Sequence, residues 1–216
     1  EHPRMGAVDV IPFIPIKEVI KEEAIELSKR VASALNEKYQ LPSFLYEDSA
    51  SAPHRVNLAK IRKGQFEGMA EKVQQPEWEP DFGGRRIHPT AGVVAVGARM
   101  PLVAFNINLS TSDVEIASKI GKIIRRSSGG FDCVKALGVM LEDRGIAQVS
   151  MNLTDYTKTA VYTVFETVCM EARRYGVNVL GSEVVGLIPV QAMVDCAEYY
   201  LGIENFDPGQ VLETRL

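Results

Sequence analysis

Along the chain, apolar residues recur at two alternating periods. Ile20, Ala24, Leu27, Val31 and Ala34 fall every three or four positions with Glu and Lys between them, which predicts a helix over 19–39, stopped by Pro42. Period two takes over at 102–109, where Val103, Phe105, Ile107 and Leu109 alternate with Ala104, Asn106 and Asn108. Further strands are predicted at 8–16, with Pro12 and Pro15 confining it to an edge, and at 43–46, 93–96, 134–141, 147–153 and 179–187. Helices are predicted after the capping-box pair Ser112 and Glu115, over 159–175 closed by Gly176, and over 189–201 opened by Pro189. Asp143-Arg144-Gly145 reads as a hairpin turn.

Asn108-Leu109-Ser110 leading to Asp113 and a helix is echoed by Asn152-Leu153-Thr154 leading to Asp155 and a helix. Two strand–helix units of one design predict a split βαβ arrangement with helices on one face of a mixed sheet, within an α/β (α+β-like) class. Asn106 and Asn108 then share one strand face, and Gln148, Ser150 and Asn152 share another. That face is either plain solvent-exposed surface or a polar wall facing a ligand or a second sheet; uncharged amides offer both donors and acceptors, which suits a heteroaromatic ring.

The length of 216 residues allows one large domain or two small ones, and the balance of 46% apolar and 24% charged residues is that of a globular chain. A net charge of −4 argues against wholesale coating of nucleic acid or of an anionic membrane. The longest stretch free of charge, Met100 to Ser112, is too short to span a bilayer. Cys133, Cys169 and Cys196 are widely spaced with no CxxC, which suggests a reducing, cytoplasmic setting. The opening Glu1-His2-Pro3-Arg4 carries neither an initiator methionine nor a signal peptide and reads as an internal sequence.

Candidate chemistry is sparse. His2, His54 and His88 lack metal-ligand spacing, and no nucleophile elbow, P-loop or dinucleotide fingerprint occurs. The stretch 54–63 carries Arg55, Lys60, Arg62 and Lys63 without an acid, as a solvated helix face or an anion site. Residues 73–92 read as a long Pro/Gly-rich loop in which Gly83-Gly84-Arg85-Arg86 is a weak anion-binding hint. His2 sits just before a strand, and an imidazole there could take and return protons at neutral pH.

EHPRMGAVDVIPFIPI (1–16), LPSFLYEDSA (41–50), QQPEWEPDFGG (74–84), HPTAGVVAVGAR (88–99), AFNINL (104–109), AQVSMNLTDY (147–156) and LGSEVVGLIP (180–189) lie in one register over nearly the whole chain. Together they resemble the glutamate formimidoyltransferase family, the formiminotransferase half of formiminotransferase–cyclodeaminase or its stand-alone microbial form. The resemblance implies two α/β subdomains, 1–101 and 102–216, whose mixed sheets face each other with helices outside and a ligand tunnel between. It also implies that the first strands and helices of the N-subdomain precede Glu1. The implied reaction moves the formimino group of N-formimino-L-glutamate to tetrahydrofolate, a co-substrate, in histidine degradation, with no metal.

On that resemblance the catalytic histidine falls on His2. The folate-contacting stretch falls on Gly83, Gly84, Arg85, Arg86, Ile87, His88, Pro89, Thr90, Ala91 and Gly92. Arg4, Arg55, Arg62 and Arg99 are candidate clamps for substrate carboxylates, because guanidinium binds carboxylate in a bidentate fork. The paired Arg85-Arg86 is not part of the family pattern as read here. A homodimer and a separate cyclodeaminase are compatible partners. Two other readings share these contacts: a non-catalytic folate-binding or assembly module, and a relative that transfers a formyl group.

Overall fold

The computed structural model describes residues 3–212. They form two compact units, divided between Met100 and Pro101.

The first unit is built on three parallel strands. β1 (Val10–Phe13) and β2 (Ser43–Leu45) flank β3 (Val94–Ala98) in the order β1-β3-β2, with Val10 opposite Ala95 and Phe44 opposite the same residue. β3 is buried at every position, as befits a central parallel strand composed of small and β-branched residues. Pro12, lacking an N–H, sits on the edge strand, where no ladder bond is lost. α1 (Lys21–Tyr39) connects β1 to β2 and lays Ala24, Ser28 and Ala32 inward. Ser28 Oγ and Ser49 Oγ share a hydrogen bond of 2.7 Å, and Ser49 Oγ in turn accepts from Ala98 N, joining helix to strand end. Between β2 and β3 the chain makes two short helices, α2 (Leu58–Ile61) and α3 (Gln65–Lys72), and the single turn Pro76–Trp78. Met5, Phe44, Tyr46, Ile61, Met69, Val73 and Val93 fill the core under them.

The second unit follows the order β4 (Val103–Leu109), α4 (Val114–Ile124), β5 (Val134–Leu141), β6 (Ile146–Leu153), α5 (Val161–Arg174), β7 (Val179–Val185), α6 (Val190–Leu201). Its sheet runs β5-β6-β4-β7 and every pairing is antiparallel. This is the split βαββαβ topology, in which α4 carries the chain past the place that β6 later fills and α5 carries it past β4. The two-sheet α+β class is as expected, but neither sheet mixes directions among the described residues: one is wholly parallel and the other wholly antiparallel. The reason lies in the connections, since β5 returns as a hairpin and forces its neighbours to alternate.

Val103, Phe105, Ile107 and Leu109 of β4 pack with Val134, Ala147, Val149, Met151 and Leu153 of the neighbouring strands against Ala117, Ile120 and Ile124 of α4 and Val161, Val164 and Val168 of α5. One face is thereby wholly committed to the helices. The cap of α4 is Asp113, whose carboxylate accepts from Glu115 N at 2.9 Å, rather than the expected Ser112.

Candidate functional site

In the first unit, the segment 79–93 is tied down at both ends. Asp81 is the anchor of its first half. Its carboxylate accepts Leu45 N at 2.8 Å and forms an ion pair with Arg55 at 2.8 Å, with side chains only 9% (Arg55) and 11% (Asp81) exposed. The same guanidinium donates to the carbonyls of Glu77 at 3.0 Å and Glu79 at 2.7 Å and lies over the Phe44 ring. Three acceptors around one planar fork explain why arginine occupies this position.

Beyond the anchor, Phe82 exchanges backbone bonds with Ser43. Gly83 packs on Pro42, and Gly84 is exposed at the turn. Arg85 pairs with Glu79 at 2.9 Å in solvent, its carbonyl accepting from Gln74 Nε2, while Arg86 is exposed. Ile87 packs on the core. His88 and Gly92 exchange both backbone bonds, closing a five-residue hairpin with Pro89 and Thr90 exposed at its tip. His88 Nδ1 accepts from Ala91 N at 3.0 Å and Thr90 N at 3.3 Å, which fixes it as the unprotonated ring nitrogen.

The segment 3–9 is laced to that hairpin. Ala7 N donates to Ala91 O at 3.0 Å and Val93 N to Met5 O at 3.2 Å. Met5 is fully buried, which alone contributes about 1.5–3 kcal/mol. Asp9 closes the segment in a left-handed conformation, φ +64°; its Oδ1 accepts from Met5 N at 3.0 Å and its Oδ2 pairs with Arg62. His2 lies outside the described residues.

The four arginines expected as carboxylate clamps divide. Arg55 is committed within the fold, so that assignment is corrected: the guanidinium already has its carboxylate, Asp81. Arg62 is paired with Asp9, leaving its Nε buried without a hydrogen-bond partner. Arg99 Nη1 donates to the carbonyl of Met100 and lies near Tyr46, whose phenol burial pushes up against the opposing pull of that guanidinium. Arg4 is exposed. The stretch 54–63 is thus neither a solvated face nor an anion site throughout. Lys72 terminates α2 by donating to the carbonyls of Lys60 and Ile61, each at 2.6 Å, and of Lys63 at 3.1 Å, under the Trp78 ring. Burial and the Lys63 charge push it down to about 8.

In the second unit, the sheet face opposite the helices carries a joined polar row. Asn106 stands between Ser150 and Glu183 in register, and Asn108 between Gln148 and Gly181. Gln148 Nε2 donates to Asn108 Oδ1 at 2.8 Å and to Glu183 Oε1 at 2.9 Å, and Asn106 Nδ2 donates to the same oxygen at 3.1 Å. These bonds, with Arg144 nearby, hold the Glu183 carboxyl below the usual carboxylate range. Asn108 and Gln148 are only 6% and 3% exposed, so the wall is built rather than merely solvated.

Sequence reasoning found the amides but passed over Glu183, although Gly181, Glu183 and Val185 alternate in a strand and share that face. Among the described residues no group of three His, Cys, Asp or Glu side chains is placed to hold a metal, and no helix is long and apolar enough to cross a membrane. Cys133, Cys169 and Cys196 are free thiols.

A sequence model for the formiminotransferase domain, N-terminal subdomain, matches residues 1–99, and one for the formiminotransferase domain matches 104–209. The glutamate formimidoyltransferase of Streptococcus pyogenes serotype M1 is 62% identical over the full chain, which covers 73% of that relative. The glutamate formimidoyltransferase of Thermoplasma acidophilum is 43% identical, again over the full chain, covering 72% of its length. The formimidoyltransferase-cyclodeaminase of Mus musculus is 43% identical over 95% of the chain, which spans only 39% of that longer protein. These likenesses place the chain in the glutamate formimidoyltransferase family of transferases.

Proposed function

We propose that the protein transfers the formimino group of N-formimino-L-glutamate to nitrogen five of tetrahydrofolate, releasing L-glutamate and 5-formiminotetrahydrofolate. The observation that carries this reading is the 62% likeness, over the entire chain, to a glutamate formimidoyltransferase. We place the reaction in cytoplasmic histidine breakdown, where a formimino donor of this kind arises.

In this reading, attack of the folate amine on the amidine carbon gives a tetrahedral intermediate. The attacking nitrogen then loses a proton and the departing glutamate nitrogen gains one. His2 serves as base and then acid, a role typically worth 10²–10⁴-fold. Three residues after His2 in the sequence, Met5 is held by bonds with Asp9 and Val93 and by burial of its side chain. A general base acts only within hydrogen-bond reach of the reacting nitrogen, and an anchored chain this close in sequence is compatible with the role. The loop Gly83–Gly92 contacts folate, and the spare cations Arg86 and Arg4 are the free candidates for carboxylates.

The test is formimino transfer measured with both substrates, beside a His2→Ala variant. Turnover that falls at least a hundredfold in the variant while tetrahydrofolate binding persists is the expected result. Binding without turnover in the unaltered protein overturns the transferase reading and leaves a folate-binding module. Turnover with a formyl donor in place of the formimino donor overturns the choice of group.

A further inference from the structure

The hydrogen bonds on the open face of the second sheet can be accounted for atom by atom. A carboxylate only accepts, so both amides bonded to Glu183 must turn their nitrogens toward it. Gln148 Nε2 has one hydrogen left, which goes to Asn108 Oδ1; Asn108 must therefore aim its NH2 elsewhere. One carboxylate thus fixes the orientation of three amides.

The groups these bonds leave over are Glu183 Oε2, Asn106 Oδ1 and Gln148 Oε1 as acceptors, and the NH2 of Asn108 as donor. Among the described residues, the buried side-chain atoms lacking a hydrogen-bond partner reduce to Arg62 Nε, so the spare amide atoms remain open to a ligand or water. Gly181, beside Asn108 in register, adds no side chain, and the space where its Cβ would stand is open.

We propose that Glu183, with Asn106, Asn108 and Gln148, binds the 2-amino-4-oxopyrimidine edge of the reduced pterin. This inference rests on the folate reading above and names the part of the folate that this face takes. That edge presents two adjacent N–H donors, from the 2-amino group and N3, followed by a carbonyl oxygen. The 2-amino group meets the spare Glu183 Oε2, and N3–H meets one of the spare amide oxygens beside it, Asn106 Oδ1 or Gln148 Oε1. The carbonyl needs a donor, and the Asn108 NH2 is the spare one. The amidine of formiminoglutamate also carries two N–H donors, but it has no adjacent acceptor for that NH2, which is why the pterin is the better match.

Binding of three separate probes to the protein and to a Glu183→Gln variant tests this: 6-methyltetrahydropterin, p-aminobenzoylglutamate and formiminoglutamate. The expected result is at least a tenfold loss for the pterin alone, with the other two within twofold. Glu183→Asp, which keeps the charge, should recover part of the loss. An unchanged pterin affinity overturns the proposal, and so does a loss confined to formiminoglutamate, which would assign the carboxylate to the amidine. If the unaltered protein binds neither the pterin nor tetrahydrofolate, the folate reading itself falls, and this inference with it. Glu183 is exposed on an edge strand, so thermal melting of the variants should match the parent.

Discussion

Gly6 and Gly92 face each other across an antiparallel bridge so closely that a Cβ on Gly92 would stand 3.0 Å from the Gly6 Cα and 2.5 Å from Met5 O. A Cβ on Gly6 would meet Val93 O at 2.2 Å. Gly92 also holds φ +68°, which glycine reaches freely and alanine does not. Gly92→Ala should therefore cost about 1–3 kcal/mol from the backbone alone, with more from the clash. Urea unfolding measures it. Formimino transfer should fall too, because residues 5–7, just after His2 in the sequence, lose their seat on the 88–92 hairpin.

The two ion pairs of the segment 77–85 should behave oppositely. Removing one partner of the buried pair, Asp81→Ala, leaves a guanidinium uncompensated and should cost about 3–5 kcal/mol. Arg85→Ala breaks a pair in solvent and should cost no more than about 1 kcal/mol. Arg55→Lys should not rescue the first site, since a single ammonium cannot reach the Asp81 carboxylate and the carbonyls of Glu77 and Glu79 with a rigid fork.

Lys72 gives a pH signature. Its folded value near 8 lies below the ordinary lysine value, so between about pH 8 and 10.5 the unfolded chain holds a proton that the folded chain has released. Stability from this group therefore rises with pH across that window and is absent below it. The denaturation midpoint of the protein, compared with that of Lys72→Met from pH 7 to 10, should show this slope in the parent and lose it in the variant.

At the start of α4 the two neighbouring hydroxyl and carboxylate residues separate cleanly. Asp113→Ala should cost about 1 kcal/mol by removing the acceptor for Glu115 N, and Ser112→Ala should be nearly silent. Equal effects of both changes would contradict the observed cap.

Much of this architecture is written locally. β5, ended by the turn residues Asp143-Arg144-Gly145, and α5, with Val161, Val164 and Val168 on one stripe and Gly176 past its end, are legible because period and punctuation are short-range signals. The amide row of β4 and β6 is legible for the same reason, since alternation assigns faces before pairing is known. What escaped was set by distance. Arg55 reads as a substrate clamp or solvated charge until the chain returns with Asp81 beneath it. Glu183 reads as an ordinary strand carboxylate until β7 is laid beside β4, where it meets Asn106 from 77 positions away. The direction of each sheet was likewise a property of connections, which periodicity does not carry.

The strand order of the second unit also sets a timetable. The β5–β6 hairpin closes over only a few residues, and β6 then finds β4 across a separation of about 40. With β6 seated on β4, β7 has only the stretch 154–178 left to close, most of it taken up by α5, and among the described residues its strand partner is β4. The row containing Glu183 draws on β4, β6 and β7 together, so it exists only when all three strands are docked, and its carboxylate reports on completion of the sheet.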